Sequence, residues 1–272
     1  MTTATTPSAH RAGPAPQVGA GTALVRTARA EWGRLWSVRS TWWFSLATAA
    51  AGVGIGLILG IDTADDPPGG EIPPDGAWTG GQLAGLFILF GLLATAVVTT
   101  TGDHTTGGIV PSLQWTPRRG VLLTARTVVV TATLTLYGLL LATLASVVVW
   151  RFVPSFGLPL DGAVSVVGSL STVFVTGLLL AVGLGLLTRS AAGCLVSVIA
   201  LVLVIPLLFG NMPLELAQQV AAHVPGSGVI FLVFGEGPEG MTETRARTIV
   251  AVWAAGAMVL GGLRLLRTDA GR

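Results

Sequence analysis

The sequence predicts an all-α integral membrane protein with six transmembrane helices. Three observations lead there: too few charges to cover a soluble surface, long charge-free apolar runs, and arginines gathered on one side of those runs. Of 272 residues, 51% are hydrophobic and 10% charged, with a mean hydropathy of +0.76. An ordinary soluble domain carries about 25% charged residues. A chain that faces lipid needs no such cover.

The elements follow in order. Residues 1–20 read as a disordered polar tail. "MTTATTPSAHRAGPAPQVGAG" has no apolar core, so it does not read as a secretory signal. Residues 22–39 form an amphipathic helix. Leu24, Val25, Ala28, Trp32, Leu35 and Trp36 share one face, while Arg26, Arg29 and Arg34 take the others. Such a helix either lies on the inner leaflet or simply extends the first span.

A span needs about 20 residues at 1.5 Å rise each. Six runs qualify, at about 41–61, 77–101, 121–150, 163–187, 191–209 and 247–266. The last has a short charge-free centre, but Arg247 and Arg264 can snorkel to the interfaces. Stretches such as "LYGLLLATLASVVVW" lack the alternation of a transmembrane barrel. Between the fifth and sixth spans, Pro213 suits a helix start, and 214–223 is expected as a short helix that "VPGSG" ends. "VIFLVF" at 229–234 is too short to cross and reads as an outer packing or re-entrant element. Residues 268–272 are a C-terminal tail.

Arginine sets the expected orientation. With the N-terminus cytoplasmic, Arg11, Arg26, Arg29, Arg34, Arg39, Arg118, Arg119, Arg126, Arg189, Arg264, Arg267 and Arg272 lie inside, and only Arg151, Arg245 and Arg247 outside. That is a strong positive-inside bias. Both termini are then cytoplasmic. Trp42 and Trp43 mark the inner end of the first span, and Trp78 and Trp150 the outer ends of the second and third.

Several chemistries drop out. No lysine occurs, which removes a P-loop and a Schiff-base site. Cys194 is the single cysteine and reads as a small buried hydrophobe. His10, His104 and His223 lie in separate segments without metal-ligand spacing. Apart from Arg126, near the start of the third run, no span carries a charge in its interior. Ion-coupled carriers keep intramembrane charges for function, so this composition points to an outside energy source and a greasy substrate. Gly52, Gly56 and Gly60 repeat every four residues in the first span and read as helix packing, as do Gly183 and Gly185 in the fourth.

One polar island interrupts the pattern: "GDHTTGGIVPSLQWTPRRGVLL", between the second and third spans. It is longer than a minimal connection. Asp103, Thr105 and Thr106 can cap a helix, Ile109, Leu113 and Trp115 give it an apolar side, Pro117 breaks it, and Arg118 and Arg119 hold its end at the headgroups. From the residues alone this is either a short surface helix offered to a soluble partner or a plain interfacial loop.

The layout resembles a type-two ABC exporter permease of the drug, antibiotic and lantibiotic efflux class. "EWGRLWSVRSTWW" (31–43) resembles that family's connecting helix. "GDHTTGGIVPSLQWTPRRGVLLTAR" (102–126) resembles its loop after the second span. "MPLELAQQVAAHVPGSG" (212–228) resembles its two-proline outer segment. The likeness runs from about Arg26 to Arg267. Three features depart from it: Asp103 stands where Glu is expected, Arg126 where Lys is common, and the turn after His104 is looser.

The resemblance implies a cytoplasmic coupling helix on which a separate ABC ATPase docks. Asp103, Gly107, Leu113, Pro117, Arg118 and Arg119 would form that coupling element. Glu31, Trp32 and Trp36 belong to the connecting helix, with Glu31 placed to pair with a basic group of the coupling element or of the ATPase. Phe87 and Phe90 of the second span, with Val198, Leu201 and Ile205 of the fifth, would line a substrate pathway at the dimer axis. Pro206 would bend the fifth span near its outer end. The chain itself would hold no cofactor and be no enzyme; ATP and Mg would sit in two copies of the ATPase. The other partners implied are a second permease copy, identical or related, and membrane lipid, with no nucleic acid. The expected location is a bacterial plasma membrane and the expected role efflux, including antibiotic resistance. An ion-coupled carrier or channel is the main alternative, followed by a membrane scaffold or a lipid enzyme.

Overall fold

The computed structural model describes residues 19–65, 72–105 and 119–267. Among them no residue is in a strand, and 88% are helical. The helices are α1 (Ala20–Ser37), α2 (Arg39–Asp65), α3 (Trp78–Thr105), α4 (Arg119–Phe152), α5 (Leu160–Thr188), α6 (Ala191–Gly210), α7 (Glu215–His223), α8 (Pro225–Phe234) and α9 (Glu243–Arg267). Six of these, α2 to α6 and α9, are long and apolar enough to cross a membrane. That is compatible with a multi-pass membrane protein.

Burial sorts the six. In the most apolar windows of α3 and α5, 56% and 61% of residues are buried. Those two helices make the centre, with Leu89, Leu92, Leu93, Val173, Phe174 and Leu178 at its heart. In α2, α6 and α9 the shares are only 28%, 22% and 33%, so these helices turn most of their apolar surface outward. In water that surface would be a liability; in a bilayer it is the solvated face.

The connections are tight and locally encoded. A single bend residue, Val38, separates α1 from α2. Two residues join α5 to α6. Arg189 takes a left-handed conformation at φ 56°, and its N–H bonds the Gly185 carbonyl at 3.0 Å. Ser190 then caps α6, its hydroxyl accepting from the Gly193 N–H at 3.3 Å. At the other end of the bundle the Trp78 indole donates to the Pro159 carbonyl at 3.1 Å, tying the α3 start to the α4–α5 connection.

α6 is not uniform. Ala200–Val204 winds as a π-helix just before Pro206. Proline lacks the N–H that an α-turn would use, and the wider turn accommodates it.

The segment after α6 departs from expectation. α7 forms as a short helix, but "VPGSG" does not end in a loop. Pro225 opens α8 at once, and the two helices meet at a bend of 73°. Val224 is extended, as the residue before a proline prefers, and that produces the bend. Pro225, Gly226, Ser227 and Gly228 are all buried. The glycine positions let α8 press against α6 and α9: a methyl on Gly226 would meet the Val202 carbonyl and Pro206, and one on Gly228 would lie 2.9 Å from the Ala246 carbonyl.

Candidate functional site

The near end of the bundle, where α1 lies, gathers most of the described arginines. α1 divides into three faces. Thr27, Glu31, Arg34 and Leu35 turn toward the bundle, with Thr27 and Leu35 buried. Leu24, Val25 and Trp32 are exposed on a second, apolar face. Arg26 and Arg29 are exposed on the remaining arc. The apolar stripe legible in the sequence is therefore split, since Leu35 packs inward while Trp32 is 51% exposed.

Glu31 carries the inward face. Arg126, in the second turn of α4, donates from Nε and Nη2 to the two carboxylate oxygens of Glu31, each at 3.1 Å. Arg34 donates to the same carboxylate at 3.4 Å and, through Nη2, to the Thr99 carbonyl of α3 at 2.9 Å. The Arg126 side chain is 4% exposed and that of Glu31 10%. A fork-to-fork pair of this kind fixes orientation as well as distance. Glu31 and Arg34 thus tie α1 to both α4 and α3. Beside this junction lies a cavity of about 170 Å³ bounded by Glu31, Arg34, Val38, Thr99, Arg126 and Val130.

Tryptophans brace the α1–α2 corner. The Trp32 and Trp36 rings meet edge-on at 6.0 Å, Trp36 and Trp42 at 5.1 Å, and the Trp42 indole donates to the Trp36 carbonyl at 2.9 Å. Arginines also close helix ends nearby. Arg119 donates to the Leu265 and Leu266 carbonyls of α9, both at 3.3 Å, and Arg264 donates to the Leu187 carbonyl at the end of α5. A cation at a helix C-terminus satisfies orphan carbonyls and matches the dipole.

The coupling residues expected from sequence are only partly within view. Gly107, Leu113, Pro117 and Arg118 lie outside the described residues. Asp103 belongs to the last turn of α3, and Arg119 opens α4. The pathway candidates differ in exposure. Phe87 is 47% exposed, Phe90, Leu201 and Ile205 are half-buried, and Val198 is fully buried in the core of the single chain.

The far end holds a wider cleft of about 740 Å³ between α7, the start of α8 and the 236–239 turn. It is lined by Glu215, Gln218, His223, Glu236, Glu239 and Arg245, among others. Trp253 of α9 donates to the His223 carbonyl at 2.8 Å and holds the bent pair in place. Among the described residues no three His, Cys, Asp or Glu side chains come together as a metal-holding group.

Sequence reasoning missed two features. One is the pairing of Glu31 with Arg126; a lone arginine inside an apolar run was the signal, because a charge there needs a counter-charge. The other is that the glycine stripe of α2 continues as hydroxyls. The buried residues of α2 are Thr41, Ser45, Thr48, Gly52, Gly56 and Gly60, one residue every three or four positions along the helix. No protein-family model and no curated protein matches this chain.

Proposed function

We propose that the chain is the membrane-spanning permease subunit of an ATP-driven exporter, working as a dimer with a separate ABC ATPase. One observation supports this most: α1 is tied to the bases of α3 and α4 through Glu31, Arg126 and Arg34. The polar segment 106–118 leaves from those same two helix ends. A push on that segment would be shared by α1, α3 and α4 as one unit. The scarcity of charge within the spans agrees with an external energy source, since Arg126, the one buried charged residue among the described residues, is paired.

In this scheme the α1 end faces the cytoplasm of a bacterial cell, and the ATPase, with its ATP and Mg, docks on 103–119. Substrate is hydrophobic or amphipathic, and efflux of an antibiotic fits that class. The exposed apolar flanks of α2, α6 and α9 would meet lipid or the second permease copy.

The test is purification and transport. An ATPase chain should copurify with the tagged protein. Substitution of Pro117, Arg118 and Arg119 should leave the helical fold intact and separate ATP hydrolysis from efflux. Transport in ATP-depleted vesicles under an ion gradient alone would favour a secondary carrier instead. Labelling of Trp115→Cys from the outside of intact cells would reverse the orientation and remove the scheme.

A further inference from the structure

The far-end cleft, at about 740 Å³, falls within the ~300–1,000 Å³ of small-ligand sites. Its floor is fixed. Pro206, Ala221, Ala222 and Ser227 line it and are buried. The Ser227 hydroxyl donates to the Ala221 carbonyl at 2.5 Å, across the α7–α8 bend. α7 is oriented opposite to a helix docked on a dry core. Leu216 and Val220, four residues apart, are 76% and 43% exposed and do not line the cleft. Glu215, Gln218 and Gln219, on the other side of the helix, do line it. A surface helix ordinarily buries its apolar stripe and shows its polar one to water. Here the apolar stripe faces away from the protein, as suits a lipid contact, and the polar side is kept for the cleft.

The cleft holds both signs of charge, and they do not cancel. Arg245 of α9 is half-buried. Its Nη1 donates to the Gly240 carbonyl at 3.4 Å, which holds the side chain and leaves further donors of its fork for a ligand. The carboxylates of Glu215, Glu236 and Glu239 line the same space, and none of them forms an ion pair with Arg245 or another described residue. Glu243, two residues before Arg245, pairs with Arg247 instead. The Gln218 amide nitrogen donates to the Met212 carbonyl at 3.1 Å, so its oxygen remains as an acceptor.

We propose that this cleft binds a short peptide with both termini free, its terminal carboxylate on the Arg245 fork and its terminal ammonium among Glu215, Glu236 and Glu239. A guanidinium matches a carboxylate in geometry, and an ammonium has three donors for carboxylates to share. Capture of peptide termini is a general recognition mode. The oxygens of Gln218 and Gln219 suit the amide N–H groups between the termini, and Ala221, Ala222 and Ile230 offer an apolar wall to a side chain. A purely cationic ligand would leave Arg245 unpaired, and a purely anionic one would face three carboxylates, so one molecule carrying both charges fits best. A metal ion does not explain the carboxylates, since among the described residues no three acidic, His or Cys side chains come together to hold one. This does not depend on the exporter assignment.

Equilibrium binding of a leucine–alanine–leucine tripeptide to the full chain in an uncharged maltoside detergent, where both ends of the bundle are open, tests it. The free tripeptide should bind saturably, and its N-acetyl and C-amide forms about tenfold or more weaker, as expected for the loss of a charged hydrogen bond. Two variants should then divide the effect crosswise. Arg245→Gln should remove the preference for the free carboxylate over the amide and keep the preference for the free amine. Glu215→Gln, Glu236→Gln and Glu239→Gln together should do the converse. These side chains are exposed or half-buried, and an unchanged melting temperature confirms that each variant is folded. No saturable binding at millimolar peptide overturns the proposal. So does a blocked form that binds as well as the free one, or a variant that weakens every form equally. Displacement of the tripeptide by equimolar glycerophosphoethanolamine, the free headgroup of a zwitterionic lipid, also overturns it, because the cleft would then be a lipid site.

Discussion

Glu31 and Arg126 lie 95 positions apart in sequence, yet two parallel N–H···O bonds of 3.1 Å join them across the α1–α4 contact. Removing one member of a buried pair leaves the other charge without its counter-charge. Arg126→Gln or Glu31→Gln is expected to destabilise the protein by about 3–5 kcal/mol, and the double substitution by less than the sum. Thermal unfolding of the four proteins in one detergent measures this, and additive losses would mean the pair is not coupled.

The glycines of α2 give a sharper test. A methyl on Gly56 would sit 2.9 Å from the Ala145 backbone, whereas Gly54 has nothing within 4 Å. Gly56→Ala should cost about 1–3 kcal/mol through overpacking, while Gly54→Ala, two residues away, should be neutral or slightly stabilising. Equal effects at both positions would show that α2 does not lie against α4.

Helix ends at the near side are held by arginine. With Arg264→Gln the Leu187 carbonyl loses its donor, and with Arg119→Gln the Leu265 and Leu266 carbonyls lose theirs. Arg119→Gln should raise amide exchange in the last turn of α9 and leave the α9 start unchanged. Mass-detected hydrogen exchange resolves the two regions.

The two-residue α5–α6 turn depends on a cap. Ser190→Ala removes the acceptor for the Gly193 N–H and should cost about 0.5–2 kcal/mol. Ser190→Asp, which restores an acceptor, should recover most of it. Melting temperatures of the three proteins decide the point.

The candidate site was only partly legible before the fold was known. The lone charge of Arg126 within an apolar run announced that a counter-charge must exist, and Glu31 stood on an amphipathic helix that had to dock somewhere. Nothing local said that they meet. The coupling residues Gly107, Leu113, Pro117 and Arg118 lie outside the described residues, so their role rests on resemblance.

What the sequence determined by itself was the set of six apolar helices and the amphipathic helix before them, together with their approximate ends. Those follow from composition and length along the chain, where each residue's preference for lipid or water acts locally. Tertiary structure decided the rest: which face of α1 turns inward, that "VPGSG" starts a second helix at a 73° bend, and that the glycines of α2 press against Leu141, Ala145 and Phe152 of α4. Those depend on which surfaces fill one another's gaps, and close packing between residues far apart in sequence carries that information only once the chain has folded.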